Sequence, residues 1–352
     1  MYPNLKLLAT PATHGEMWAK ADLFNRTGSW ESPFSMLVCP DPEPQRPMPY
    51  TRKAILIALG AILALTACEN PDGKPAPGAM PEATSAPDTS AAAQFAAVRS
   101  PTQDEARVYG TYTRGCVAGA RQLSADSPKW QILNPSRNRA WGHPALIRFI
   151  DRLATAVAAD GHRGLLVGDL AQPRGGPLPS DHNSHQVGLD ADIWLTPLPP
   201  QRLSAEELES YEPPSMVDVD RLSTNAYFGD AQYSMLRRAA ESPDVERIFV
   251  SPPIKATLCK RTNEADRNWL RKVRPWRGHM SHMHVRLSCP VESDDCKDQD
   301  PPPEGDGCGS ELQSWLNDRS WLKQGTSRYV PEKAMRLEGL PEQCRQLLKA
   351  RG

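Results

Sequence analysis

Residues 180–195 read SDHNSHQVGLDADIWL, and residues 279–287 read HMSHMHVRL. The first stretch alternates from Gly188 on. Leu189, Ala191, Ile193 and Leu195 face one side of a predicted strand, and Asp190, Asp192 and Trp194 face the other. Gly188 marks a tight turn into that strand, so His185 falls in the loop just before it. The second stretch alternates too: His282, His284 and Arg286 share one face, and Met283, Val285 and Leu287 share the core face. Twice the rise per strand residue puts the two imidazoles of the H-x-H pair about 7 Å apart at Cα. One of them could bind an ion while the other reaches water beside it.

Five of the eight histidines lie in these two segments, and Asp192 is the acid that both clusters could share. Neutral imidazole plus carboxylate is the donor set of a catalytic zinc, which takes three protein ligands and keeps one position open. Each piece alone has a plainer reading. A histidine beside a strand is usually a satisfied polar side chain. Asp190 and Asp192 could form the solvent face of an edge strand, and H-x-H is a weak signal by itself. H-x6-D and a distant H-x-H together, both on strand-like segments, favour the metal. There is no H-E-x-x-H motif, and so no helix-borne glutamate to act as a base.

H-x6-D followed by H-x-H resembles the group of peptidases that joins lysostaphin-type and D-Ala-D-Ala-type enzymes with the hedgehog signalling domain. CVAGA at 116, GHPALIRFI at 142, HNSHQVGLDADIWL at 182, RIFVSPPIK at 247, DRNWLRKVRPW at 266, HMHVRLSCP at 282 and GDGCGSELQSW at 305 narrow the match. From about residue 108 to 348, and not before 100, the chain is similar to the penicillin-insensitive murein endopeptidase family. The resemblance implies a zinc enzyme that hydrolyses D-alanyl–meso-diaminopimelate cross-links of peptidoglycan. With no acylable serine, such an enzyme escapes β-lactams. The residue pattern itself gives zinc held by His185, Asp192 and His284, with His282 on the face of His284 as the general base and His279 reaching the same face as an oxyanion stabiliser. The resemblance also brings His182 to the metal site, as a ligand of a second ion. The family's second site uses a later aspartate and histidine. Asp218 or Asp220 could supply the carboxylate here, but no histidine lies between His185 and His279, so one ion is expected. Two other outcomes share the cage: a D,D-carboxypeptidase or dipeptidase, and a non-catalytic, zinc-stabilised peptidoglycan-binding lipoprotein. The spare histidines favour catalysis, because a structural zinc closes its fourth position.

The rest of the 352 residues divide by composition. Residues 1–47 show no periodic pattern. MPYTRK at 48 opens a charged segment, and AILIALGAILALTA at 54–67 is an apolar run of secretory-signal length, short for a bilayer span. It ends in LTAC at 65–68, which resembles a bacterial lipoprotein signal with Cys68 as the lipidated residue. Translation is therefore expected to start at Met48, with 1–47 a mis-assigned extension and 48–67 the signal. Glu69 is not the aspartate that retains enteric lipoproteins at the inner membrane, so the expected location is the periplasm, anchored at the outer membrane. Residues 68–104, rich in Pro, Ala, Ser and Thr, read as a disordered tether. One catalytic domain is expected over 105–352. Within it, 143–160 reads as an amphipathic helix ending at Gly161, LLVGDL at 165 as a buried strand, 247–251 as a strand, and 232–241 and 264–272 as helical. The fold class is α+β: an antiparallel sheet carrying the zinc site, flanked by helices.

With 41 basic and 42 acidic residues the net charge is −1, so no overall field argues for nucleic acid. RNWLRKVRPWR at 267–277 could stack on a polymer or pack against the core; core packing is the expected role. Cys39 lies in the doubtful extension and Cys68 in the signal. The other six cysteines, behind an export signal, suit three disulfides, for which fifteen pairings exist. No C-x2-C pair offers a thiolate zinc site. The resemblance implies Cys116–Cys344, Cys259–Cys308 and Cys289–Cys296, which would staple the Pro-rich tail to the catalytic core.

Overall fold

A computed structural model describes residues 88–125, 127–179, 182–322 and 335–350. The extension, the signal, Cys39, Cys68 and the tether up to residue 87 lie outside the described residues.

The strands follow the apolar alternation. A hairpin pairs β1 (Arg107–Thr111) with β2 (Arg114–Ala118). Six further strands form the main sheet: β3 (Trp130–Ile132), β4 (Leu165–Val167), β5 (Asp190–Trp194), β6 (Val245–Val250), β7 (Val273–Pro275) and β8 (His282–Leu287). Their spatial order is β7-β6-β8-β5-β4-β3. The antiparallel sheet expected from sequence is therefore mixed. Its centre, β6-β8-β5-β4, is antiparallel, but β6 runs parallel to β7 and β3 parallel to β4 at the two edges. The physical reason is the connections. A parallel pair needs a long crossover. α2 (Pro144–Ala159) lies between β3 and β4 in the chain. α4 (Pro252–Arg261) and the 3-10 stretch Glu264–Lys272 lie between β6 and β7. Apolar alternation sets which face a residue takes and says nothing of strand direction.

One face of the sheet belongs to the core. Leu165, Val167, Ala191, Ile193, Ile248, Val250, Met283 and Val285 are all fully buried in one apolar cluster. Helix α2 meets them with Leu146, Ile150, Leu153 and Val157, a 3.6-residue repeat. Pro144 starts this helix, and the side chain of His143 caps it by accepting from the N–H of Ala145 at 3.2 Å. It ends at Asp160, before Gly161 at φ +85°. Helix α3 (Asp230–Glu241) adds Met235, Leu236, Ala239 and Ala240 to the same cluster.

The packed part of the chain begins before residue 105. Ser90 caps α1 (Ala91–Ala96), and Phe95 is fully buried with Ala118, Leu340 and Leu347 around Cys116 and Cys344. A Cβ on Gly176, which sits at φ +76°, would lie 2.2 Å from the Phe95 ring, so the chain there is shaped to the phenylalanine. Alanine-rich sequence reads as a linker by composition, yet alanine is the best helix former, and a single buried phenylalanine anchors this helix. Residues 90–97, within the stretch read above as a tether, form this capped and packed helix.

The bridges are Cys116–Cys344, Cys259–Cys308 and Cys289–Cys296. The first ties α5 (Glu342–Lys349) to β2. Buried Arg174 also holds the end of α5, donating to the carbonyls of Leu347 and Ala350.

Candidate metal centre

The other sheet face carries the charge. The β5–β8 register sets Asp192 opposite His284, Asp190 opposite Arg286 and Trp194 opposite His282. Residues two apart in each segment thus become cross-strand neighbours on one face. The loop before β5 brings in the remaining histidines. His185 is fully buried at φ +67°, and its N–H donates to Asp190 Oδ2 at 3.1 Å. His279 sits at φ +55° in the turn before β8. Two histidines held in the left-handed region at one site are a strain the surrounding contacts must maintain.

The donor atoms converge. One ligand atom each from His182, His185 and Asp192 lies within 4.8 Å of the others. Asp192 Oδ2 is 3.7 Å from His182 Nδ1 and 3.5 Å from His185 Nε2, and Asp192 Oδ1 is 3.1 Å from His284 Nδ1. The rings of His182 and His185 meet edge-on at 4.8 Å, and those of His185 and His284 at 4.6 Å. His282 is set slightly apart, with Nε2 3.8 Å from Asp192 Oδ1 and its ring edge-on to Trp194 at 5.2 Å. The His279 ring is 4.9 Å from that of His282, and its Nδ1 faces the Arg277 carbonyl at 2.6 Å.

Two carboxylates that the sequence reading did not assign complete the cluster. Asp190, read as a possible solvent-facing residue, is fully buried. Its Oδ1 lies 3.0 Å from His284 Nε2 and accepts from Arg286 Nε at 2.7 Å. This fixes His284 with Nδ1 turned to Asp192. A carboxylate behind the imidazole is the usual support of a metal-binding histidine. Asp169 does the same for His182, at 3.2 Å from Nε2, and Arg139 donates to it at 2.7 Å. Asp218, considered above for a second ion, is instead used by its own turn: its Oδ1 accepts from the N–H groups of Asp220 and Arg221 at 3.1 Å each. The strand parity of Asp190 was the available signal. Asp169 gave none, because its meeting with His182 is a long-range contact.

The electrostatics of the protein groups alone pull the histidines apart. Burial disfavours the charged form of His284, but Asp190 and Asp192 outweigh it and lift the ring to about 9. His182 is raised in the same way by Asp169 and Asp192. Burial keeps His185 and His282 low. Burial and the neighbouring His282 and His284 push His279 down to about 3. Burial would raise both aspartates, yet Arg286 and His284 hold Asp190 low, and His185 and His282 hold Asp192 well below the carboxylate range. Carboxylates that hold protons on adjacent imidazoles will hold a cation there in their place. Neither ring nitrogen of His185 has a hydrogen-bond partner, although the side chain is wholly buried. Buried polar atoms are rarely left so. A nitrogen and oxygen donor set with an orphaned buried imidazole fits a divalent ion of the zinc type.

The cluster floors a cleft of about 360 Å³. Phe249 and Trp276 line it, and the ring of Trp276, half exposed, meets Phe249 at 5.6 Å and Trp315 at 5.7 Å in tilted contacts. The 267–277 segment packs Trp269 into the core, while Trp276 faces the cleft.

Fold and site together define a disulfide-stapled α/β domain with a metal-competent histidine–aspartate centre at the floor of an open cleft. Residues 108–349 match the family described as penicillin-insensitive murein endopeptidase. The penicillin-insensitive murein endopeptidase of Yersinia enterocolitica is 44% identical over 227 residues, 64% of this chain and 82% of that protein. Those of Pectobacterium atrosepticum and Shigella sonnei are 42% identical over 240 residues and 41% over 259, covering 68% and 73% of this chain and 83% and 92% of theirs. The chain belongs to this peptidase family. No helix among the described residues is long and apolar enough to cross a membrane.

Proposed function

We propose that this protein is a zinc-dependent endopeptidase that hydrolyses the D-alanyl–meso-diaminopimelate cross-links of peptidoglycan and is indifferent to β-lactams. The observation that carries the metal is His185, an imidazole buried with both nitrogens unpartnered against Asp192, His182 and His284. The substrate class rests on the family and on the names of the relatives. His185, Asp192 and His284 are the residues that would hold one zinc. His182 stands alongside, backed by Asp169 rather than by the Asp218 or Asp220 of a second site. Zinc in that position supplies Lewis acidity, which polarises a peptide carbonyl and acidifies water.

The other groups do the proton work. His282 lies beside the ligands without being one of the tight cluster, and burial keeps it neutral and able to accept a proton. It takes the proton from the attacking water and returns it to the leaving amine. Asp192 and Trp194 fix its ring. His279 is less suited to the oxyanion role expected of it. Its Nδ1 proton is engaged by the Arg277 carbonyl and its ring is neutral, so Nε2 accepts rather than donates. It serves better to receive a substrate N–H or to relay a proton from His282, 4.9 Å away. The location that goes with this activity is the periplasm, with a lipid on Cys68 at the outer membrane.

The test is digestion of purified cross-linked muropeptide dimers with and without chelator. Release of monomers that chelation abolishes and zinc restores is the expected result. Loss of a terminal D-alanine alone would make the protein a carboxypeptidase, binding without cleavage would make it a peptidoglycan-binding module, and activity indifferent to chelator would remove the metal from the mechanism.

A further inference from the structure

Strand β6 carries an irregularity that the proposed chemistry does not use. Val245 pairs with Leu287 and Arg247 with Arg286, so one extra residue, Glu246, is inserted between them. The insertion changes the parity of the strand. Val245 lies in the core with Ile248 and Val250, whereas Arg247 and Phe249 line the cleft on the face of His284. Bulges beside functional sites commonly re-aim a side chain in this way. Here the result sets two guanidiniums directly opposite each other across an antiparallel pair, an arrangement that like charges oppose.

The fold compensates only one of them. Arg286 is held by Asp190 through Nε at 2.7 Å and by Gln299 Oε1 at 2.8 Å, and its guanidinium stacks on Tyr112 at 4.2 Å. Arg247 has no carboxylate partner among the described residues. It gives one Nη2 hydrogen bond to the Asp300 carbonyl at 2.5 Å, and its Nε is buried without a partner. Burial and the nearby Arg286 and Arg274 disfavour its charge, against its chain neighbour Glu246 and Tyr112, and the net effect lowers its pKa. Arg277 stands in the same cleft, and among the described residues no aspartate or glutamate lines it. A half-buried cation kept uncompensated beside a candidate active site is the signature of an anion supplied by a ligand.

We propose that Arg247, assisted by Arg277, binds a free carboxylate of the substrate, the one carried by the carbon attached to the scissile nitrogen. This rests on the endopeptidase reading above. In a D-alanyl–diaminopimelate cross-link that carbon bears a carboxylate, separated from the reacting carbonyl by the nitrogen and one carbon. Arg247 is paired one pleat along from the Phe249–His284 pair, about 7 Å at Cα, so its side chain stands on the same cleft face as His284. The carboxylate would neutralise the guanidinium and align the peptide bond over the histidines.

The decisive experiment compares two synthetic muropeptide dimers that differ only in this group, free carboxylate against carboxamide, by kcat/KM. Wild type is expected to prefer the free acid by about 10- to 100-fold, the worth of one charge-assisted hydrogen-bond pair. R247Q should cut both dimers equally, chiefly through KM, and R247K should restore part of the preference without bidentate geometry. Equal cleavage of the two dimers by wild type overturns the proposal, whatever the variants do. A preference undiminished in R247Q overturns the assignment to Arg247. If wild type cuts neither dimer, the endopeptidase reading has failed. Titration calorimetry of the same dimers against wild type and R247Q then judges the carboxylate site alone, and equal affinities for acid and amide would overturn it.

Discussion

Replacing Asp190 with asparagine should damage both stability and the metal, although Asp190 is not proposed as a ligand. In the folded protein its Oδ1 serves His284 Nε2 at 3.0 Å and Arg286 Nε at 2.7 Å, and its Oδ2 accepts from His185 N–H at 3.1 Å and Arg286 Nη2 at 3.4 Å. Asparagine keeps the size and one acceptor. Its amide nitrogen at the Oδ2 position would meet two donors, and Arg286, also buried, would lose its counter-charge. A buried donor left unsatisfied costs about 1–3 kcal/mol, and breaking a buried ion pair on one side costs about 3–5 kcal/mol. These overlap, so Asp190→Asn should lose about 3–5 kcal/mol in urea unfolding of the chelated protein. Zinc affinity, measured by competition with a chromophoric chelator, should fall about 10–100-fold, because His284 loses the group that fixes its ring. The pH dependence has a definite sign. The folded carboxyl is held below its usual 3.8, so its contribution is present above that value and is lost as pH falls below it. The gap between wild type and variant should therefore close on acidification. A loss under about 1 kcal/mol with unchanged zinc affinity would refute the reasoning, since it would mean that neither Arg286 nor His284 depends on Asp190.

Three further outcomes are expected, the first two from the structure and the third from the lipoprotein-like sequence at 65–68. His284→Ala should lose bound zinc and activity together, whereas His282→Ala should keep one equivalent of zinc and lose about 10²–10⁴-fold in activity; zinc loss in His282→Ala would make His282 a ligand. Alkylation of the unfolded, non-reduced domain, residues 88–352, should label none of its cysteines, and removing the Cys116–Cys344 bridge should cost about 2–5 kcal/mol; two or more labelled thiols would contradict the observed pairing. Cys68→Ser should release the protein from membranes on fractionation, and an unchanged membrane fraction would remove the lipid anchor.

Much of the site was legible because strand parity is local. The alternation from Leu189 to Leu195 and from His282 to Leu287 assigned every residue to its face, and all the apolar members of the core face proved buried. Where parity was read alone it also misled. Asp190 alternates onto the same face as Asp192, which looks like a solvent face until β8 covers the strand's flank and Arg286 arrives opposite. Its burial is a property of the pairing and of no residue nearby in the chain. Asp169 and Arg139 are in the same position: they support His182 through contacts that a linear reading does not display. Strand direction escaped for a related reason. The helical repeat of 143–160 was plain, but nothing in it says that the helix spans a crossover between parallel strands.

Arg247 shows where local reading ends most clearly. A strict alternation through VERIFV would place Val245, Arg247 and Phe249 on one face. The observed register divides them, because Glu246 is an extra residue against Leu287 and Arg286. Without the bulge, keeping Val245 in the core would carry Arg247 and Phe249 inward with it, burying a cation among Ile and Val side chains and removing the aromatic wall from the cleft. With it, the strand serves the core at one end and the cleft at the other. One inserted residue thus decides whether the sheet can present an uncompensated guanidinium beside His284, and deleting Glu246 should abolish the discrimination between free and amidated cross-links along with the packing of β6.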